Sequence, residues 1–429
     1  MREWLENLDI SKNNMSEIVN EGIEKHRKGT FHLKVTDESS QPLDGVSVTV
    51  SLKKHAFQFG ANAFMAGGME NEEKNNAYLN IFKESFNQAT IPFFWKDDEP
   101  EKGRFRFTKD SEHIFRRPPA DYMLEWCEEA GVEPKGHNLI WNSQFASLPK
   151  WLSREPEEMW KYAMRRMKRI AELYADKIPV FDVVNEFLIR GADNVPVDYP
   201  IEAFRRADLL FPNTKLIANE TRIWDFKYDA SRLYQYINWL KSNQLRVDGI
   251  GLQCHLFERR EELQKVRGKN ELCAEHMIKT LDFYATLGKD IHISEITVPS
   301  YPLDGNDEDD QAQIAENLYK IWFSSEKVKS IVWWNLVDGY AFSRPNWDEN
   351  YYGGGLFRKD LSPKPAYEAI KHLITKEWQT NEQLVTNEKG SAAFSGFYGT
   401  YNVTVSKNGM TKSLETNFRD GKRFYTLSF

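Results

Sequence analysis

The chain has 429 residues, a formal net charge of −7 and a 41% hydrophobic content. That length allows one large domain plus a small one, and a mildly acidic balance with no long basic run argues against nucleic acid as the main partner. Three cysteines, Cys127, Cys254 and Cys273, form no CxxC pair, which argues against a disulfide framework and a cysteine zinc site.

In chain order, the first twenty residues hold no unbroken apolar core, so they do not read as a secretory signal. No apolar run is long enough to cross a bilayer, so no membrane partner is expected. The expected location is cytoplasmic, with a secreted protein whose signal has been removed as the alternative. Residues 1–29 read as a charged helical segment with Trp4, Leu5, Leu8, Ile18 and Val19 as docking residues. From Thr30 the apolar period shifts to two. FHLKVT (31–36) and VSVTVSL (46–52) alternate like half-buried strands around a turn with Pro42 and Gly45.

From about residue 55 short apolar runs alternate with longer helical patterns. The runs are AFQFGAN (56–62), FNQATIP (86–92), PKGHNLIW (134–141), PVFDVVNE (179–186), KLIAN (215–219), DGIGLQC (248–254), DIHISEI (290–296) and SIVWWNL (330–336). Helical spacing is clearest at 119–130, 156–176, 228–243, 272–287, 310–324 and 363–374. Eight such repeats predict an α/β fold, a (β/α)8 TIM barrel over 55–375. From 376 to 429 the period returns to two, with Gly and Asn turns. The β segments 30–54 and 376–429 are expected to pack together as one small accessory β-sandwich.

FDVVNEF (181–187) ends an apolar strand in an amide beside a carboxylate. Catalytic residues of such barrels sit where the strands end, which makes Glu186 a candidate for proton chemistry. Its best partner is Glu295, in ISEI on the seventh run, which faces the fourth across a closed barrel. Two carboxyl groups there suit glycoside hydrolysis: one protonates the leaving oxygen and the other attacks or activates water. Repulsion and partial burial would split their pKa values. The bland alternative is a pair of rim carboxylates. The aromatic content of 14% fits a packed core, or a cleft with stacking platforms for sugars. LDGNDEDDQ (303–311) is acidic but lacks the order of an EF-hand loop, so no metal is expected. The chain has no P-loop, dinucleotide glycine fingerprint or HExxH, so no cofactor is implied.

FDVVNEF resembles the Trp-Asp-Val-Val-Asn-Glu strand of glycoside hydrolase family 10, the retaining β-1,4-xylanases, and ISEI is similar to its Ile-Thr-Glu strand. GHNLIWNSQ (136–144), KLIANE (215–220), GIGLQCHL (249–256), VWWNLVDGYAF (332–342) and GGLFRKDLSPKPAYEAI (354–370) resemble further family segments, in the family's order. The resemblance implies that Glu186 is the acid/base and Glu295 the nucleophile. It implies that Asn185 bonds the 2-hydroxyl of the reacting sugar and that His255 holds the nucleophile, with Gln253 nearby. His137 and Trp141 would line the same sugar subsite, Gln144 would contact the next sugar, and Trp334 would be a stacking platform.

One segment departs from the family. Its Glu-Asn-x-Met-Lys-Trp, which contacts sugars on the non-reducing side, is replaced before Trp95 by Ala89-Thr90-Ile91-Pro92-Phe93-Phe94. Two further positions differ, with Asn142 for a His and Phe342 for a Trp. The expected activity is retaining cleavage of β-1,4-xylosidic linkages in xylan or xylo-oligosaccharides, so the partner is a β-linked oligosaccharide or polysaccharide. The alternatives are a β-glycosidase of altered specificity, with Ile91–Phe94 facing a less polar group, and a catalytically silent glycan-binding barrel.

Overall fold

The structure is a computed structural model describing residues 2–12, 14–143, 145–153, 155–188, 199–221, 224, 231–260, 273–303 and 305–429. Strands β1 (Lys28–Thr36) and β2 (Ser47–His55) precede eight strands that close on themselves. These are β3 (Gln58–Asn62), β4 (Gln88–Pro92), β5 (Glu133–Trp141), β6 (Val180–Asn185), β7 (Lys215–Glu220), β8 (Gly249–His255), β9 (Asp290–Thr297) and β10 (Val328–Trp333). They form one closed barrel in the order β10-β3-β4-β5-β6-β7-β8-β9, with every described pairing parallel. This is the expected (β/α)8 barrel.

Parallel strands covered on both faces read as continuous apolar runs, and all six residues of β6 are buried. The helices are amphipathic in the complementary way. In helix Pro156–Tyr174 the buried set includes Met159, Ala163, Met167, Ile170 and Tyr174, one stripe at helical spacing. Its proline sits in the first turn, where the missing N–H costs no intrahelical bond. Helix Ala120–Ala130 ends at Gly131, whose φ of 67° turns the chain toward β5. Two helices that sequence spacing does not single out, Glu72–Ser85 and Tyr199–Leu210, fill the first and fourth βα connections. In the first, only Tyr78, Phe82 and Ser85 are buried, too sparse a stripe to stand out.

After β10 come a two-residue hairpin, β11 (Ser343–Arg344) with β12 (Trp347–Asp348), and then β13 (Asn381–Val385), β14 (Ser391–Phe397), β15 (Gly399–Lys407), β16 (Met410–Phe418) and β17 (Phe424–Ser428). The N-terminal strands pair with the C-terminal ones. One sheet has the order β14-β1-β17 and the other β13-β2-β15-β16. Rings from the two sheets interlock: Phe31 of β1 lies 4.9 Å from Phe418 of β16, and Phe394 of β14 lies 5.8 Å from Tyr401 of β15. The accessory β-sandwich is therefore built from both terminal segments. Two compact units divide the chain. One comprises Met1–Asp9, Phe59–Trp322 and Lys327–Glu368, and the other Ile10–Gln58, Phe323–Glu326 and Ala369–Phe429. Helix Met15–Arg27 belongs to the second unit, where its Val19, Ile23 and Arg27 are buried.

The barrel ladder is irregular where function is expected. Register shifts fall between His137 and Ile140, between Asp182 and Val184, and between Gly251 and Gln253. Such irregularities re-aim side chains, and here each lies within four residues of a candidate site residue.

Candidate active site

β6 delivers Asn185 as its last residue, and Glu186 follows with φ 48°, in the left-handed region. A non-glycine residue there costs on the order of 1–3 kcal/mol and needs a surrounding structure that fixes it. The neighbouring strand supplies that fix. The Glu186 N–H donates to Asn219 O (3.0 Å), and the Leu188 N–H donates to Glu220 Oε2 (2.8 Å). Glu186 itself is half-buried, while Glu220 is fully buried. Burial pushes the Glu220 carboxyl up to about 8, with the Glu186 charge adding to the shift.

Glu295 lies near the end of β9 with only 3% of its surface exposed. Its Oε1 accepts from Asn219 Nδ2 (2.8 Å) and Gln253 Nε2 (3.0 Å). Its Oε2 lies 3.0 Å from His255 Nε2, and His137 Nδ1 stands 3.9 Å from Oε1. Burial holds the His255 imidazole down at about 4, so it is neutral at pH 7. With Glu295 ionised, Nε2–H donates to its Oε2 (3.0 Å) and the Thr297 hydroxyl donates to Nδ1 (2.9 Å). Burial pushes the Glu295 carboxyl up to about 8. His137 pulls it down and the Glu186 charge pushes it further up. The three donors favour the anion and oppose the effect of burial. Burial dominates, leaving a carboxyl above its usual range whose charged form already has hydrogen-bond partners.

Asn185 is oriented by the same amides. Its Oδ1 accepts from Asn219 Nδ2 (2.8 Å) and Gln253 Nε2 (3.2 Å), which leaves its own amino group to donate. Asn219 is the joint of this network. Its Oδ1 takes the Ser294 hydroxyl at 2.5 Å, so its Nδ2 faces both Asn185 and Glu295. Gly251 makes room for it, since a Cβ there would come within 2.1 Å of Asn219 Oδ1. Beneath these residues, Asp182 Oδ2 lies 2.8 Å from both Lys135 Nζ and His137 Nδ1. Burial works against the Asp182 anion, but Lys135 and His137 outweigh it and hold the carboxyl below its ordinary value.

An aromatic wall rises beside this polar floor. Phe64, Phe94 and Trp334, which follow β3, β4 and β10, form a buried cluster with the half-buried Trp141 against it. Trp334 meets the rings of Phe64, His137 and His255 edge-on at 5.2, 5.5 and 5.9 Å. The Arg117 guanidinium sits 3.8 Å over Phe94. Of the Ile91–Phe94 stretch, Phe94 joins this wall, 5.6 Å from the His137 ring and 5.9 Å from Trp141, while Ile91 and Phe93 turn into the core. Ile91 and Phe93 are fully buried and Phe94 is 3% exposed. The Phe93 ring packs on Tyr174 and Phe181 in the space between β4 and the surrounding helix.

The structure thus brings Asn185, Glu186, His137, Gln253, His255 and Glu295 together, with Trp141 and Trp334 in the adjoining wall. Gln144 lies outside the described residues. Sequence reasoning passed over Asn219, Lys135 and the Arg116–Arg117 pair. Asn219 carried a usable signal, a polar end on an apolar strand, which is the same feature that drew attention to Glu186. Among the described residues, no group of acidic, His or Cys side chains could hold a metal ion.

A closed barrel whose fourth and seventh strands bring two glutamates to one mouth, one of them nested in amide and imidazole donors, places the chain among the glycoside hydrolases. Within that class the chain belongs to glycosyl hydrolase family 10, whose family model matches residues 51–373. It is 28% identical over 406 residues to an anti-sigma-I factor of Acetivibrio thermocellus, covering 92% of this chain and 47% of that protein. It is 25% identical over 316 residues to endo-1,4-beta-xylanase B of Thermotoga neapolitana, covering 70% and 84% respectively. The chain therefore spans about half the length of the first of these relatives and most of the second. Among solved structures, it is similar to xylanase 10B of Thermotoga petrophila in complex with xylobiose, with 26% identity and a TM-score of 0.60 over 75% of this chain and 95% of that one. The native xylanase 10B of Thermotoga maritima gives 26% identity and a TM-score of 0.61 over 75% and 96%.

Proposed function

We propose that this chain is a retaining glycoside hydrolase that cleaves β-1,4-xylosidic linkages, with Glu295 as nucleophile and Glu186 as acid/base. The observation that carries the reading is the donor set on Glu295. Asn219, Gln253 and His255 hold both carboxylate oxygens, so the side chain has one orientation and a supported anion. In the first step Glu295 attacks the anomeric carbon while Glu186 gives its proton to the departing glycosidic oxygen, leaving a glycosyl ester on Glu295. In the second step Glu186 takes a proton from water, the water attacks the anomeric carbon, and the ester bond to Glu295 breaks. The amino group of Asn185 donates to a hydroxyl of the reacting sugar, and Trp334 with Trp141 supports the sugar's apolar edge. The choice of xylosyl linkages rests on family membership and on the Thermotoga xylanases.

The test is a panel of aryl β-glycosides and xylo-oligosaccharides run on wild type, Glu186→Ala and Glu295→Ala. The expected result is hydrolysis of xylosides that is lost in Glu295→Ala. In Glu186→Ala it should persist best on aryl leaving groups that need no protonation. Activity unchanged by Glu295→Ala would remove the nucleophile assignment.

A further inference from the structure

β6 leaves the barrel ladder at Glu186. Asn185 is its last residue and pairs with Asn219 of β7, and the Glu186 N–H still donates to Asn219 O (3.0 Å). In a regular parallel ladder the next N–H toward β7 is that of Leu188, and its acceptor is the backbone carbonyl of Thr221. Glu186 turns out of the strand, with φ 48°. At Leu188 the acceptor is a side chain instead: Glu220 Oε2 takes the N–H at 2.8 Å.

The Glu220 side chain is itself fixed. It is fully buried, and its Oε1 accepts from the Thr221 N–H at 2.9 Å. Both oxygens are therefore held by backbone donors, one on each side of the seam between β6 and β7. Between the bonded N–H groups of Glu186 and Leu188, Phe187 is buried and sets its ring 4.7 Å from Tyr236 of helix Ser231–Ser242. The backbone on both sides of the Glu186 side chain thus has a fixed path, while that side chain stays half-buried. Burial opposes a charged carboxyl at position 220, and the Glu186 charge opposes it further. Packing gives no motive for a glutamate there, since leucine or glutamine would fill similar space.

We propose that Glu220 is the positioning residue of the acid/base: its carboxyl group stands in for the ladder carbonyl, fixes the backbone beyond Glu186, and so keeps the Glu186 side chain aimed at the departing glycosidic oxygen. Glu220 does not touch the sugar. Its effect is confined to the proton that Glu186 gives, whereas Asn219, the residue before it, serves Glu295 and Asn185. This rests on the proposed role of Glu186 and adds the group that holds it in place.

The test compares kcat/KM on two substrates, a dinitrophenyl β-xylobioside, whose leaving group needs no proton, and xylotetraose, whose sugar leaving group does. Both are run on wild type, Glu186→Ala, Asn219→Ala, Glu220→Leu and Glu220→Gln. In Glu220→Leu the value on xylotetraose falls by about 100-fold, the scale of a misplacement of about 1 Å, while that on the dinitrophenyl substrate stays within about threefold of wild type. Glu220→Gln, which keeps one acceptor, shows the same split at smaller size and carries the test if Glu220→Leu does not fold. Asn219→Ala, which disturbs Glu295, loses on both substrates alike. A purely structural role for Glu220 lowers both substrates equally, and that result overturns the inference, as does no loss on either. A wild type that cleaves neither substrate, or a Glu186→Ala variant fully active on xylotetraose, overturns the proposed function itself.

Discussion

Asn219 donates to Glu295 across an intervening strand: Nδ2 on β7 lies 2.8 Å from Oε1 on β9. The same nitrogen lies 2.8 Å from Asn185 Oδ1, so one amide aligns the residue proposed to attack and the residue proposed to hold the sugar. Hydrogen bonds to charged groups contribute about 1.5–3 kcal/mol. Asn219→Ala should therefore lower kcat/KM by roughly 10–100-fold, mostly in kcat if the contact matters more in the transition state. Steady-state kinetics on an aryl xyloside checks this. A change under twofold would demote Asn219 to packing.

Gly251→Ala should reproduce much of that loss without touching a polar group. Its Cβ would fall 2.1 Å from Asn219 Oδ1 and 3.2 Å from Asn219 Cα, so the amide has to move. Overpacking of this kind costs about 1–3 kcal/mol of stability. Thermal unfolding should show a lower Tm, and the double variant with Asn219→Ala should lose less than the two single losses combined.

The raised carboxyl of Glu295 has two consequences with opposite readouts. A group whose folded pKa lies above its unfolded one binds its proton more tightly when folded. Its contribution to stability is full below pH 4.5 and lost as pH rises through about 8. Glu295→Gln removes that dependence, so the Tm of the variant minus that of wild type should grow more positive between pH 5 and pH 8. Activity runs the other way. On an aryl xyloside whose leaving group needs no protonation, the first step depends only on an ionised nucleophile, so wild-type kcat/KM should keep rising with pH well above the ordinary carboxylate value of 4.5. An acid limb that levels off near pH 5 would place the Glu295 carboxyl in the ordinary range.

Lys135 and Asp182 form a buried ion pair, 1% and 0% exposed, joined by His137. Removing one partner strands the other charge, which typically costs about 3–5 kcal/mol. Lys135→Ala should be strongly destabilised in chemical denaturation. The double variant Lys135→Met/Asp182→Leu should recover part of the loss while still impairing catalysis, because His137 loses the partner that orients it. Full recovery of activity would show that the pair serves stability alone.

The barrel was legible in the sequence because a parallel strand covered on both faces leaves an unbroken apolar run. All eight runs read from residues 56 to 336 became barrel strands. Glu186 and Glu295 were legible for the converse reason, that a charge ending such a run has no structural motive. Lys135 and Asp182 were harder, because each sits within its strand and its partner lies on a neighbouring strand, 47 positions along the chain. Arg116 and Arg117 lie in a connection with no period at all. Only the fold shows that they back Phe64 and Phe94. Helix Tyr199–Leu210 was not singled out, although its buried face of Tyr199, Ala203, Phe204 and Ala207 is regular. Its Tyr-Pro start reads locally as a turn.

Trapping the covalent bond proposed between Glu295 and the sugar tests the nucleophile assignment outright. An activated 2-deoxy-2-fluoro-β-xyloside, whose fluorine slows both formation and breakdown of the glycosyl ester while its good leaving group restores the rate of formation, should inactivate the enzyme with time. Intact mass should rise by one fluoroxylosyl group, and the label should fall on the peptide containing Glu295. A label on a different carboxyl, or turnover of natural xylosides with inverted anomeric configuration and no labelled enzyme, would rule out Glu295 as the nucleophile.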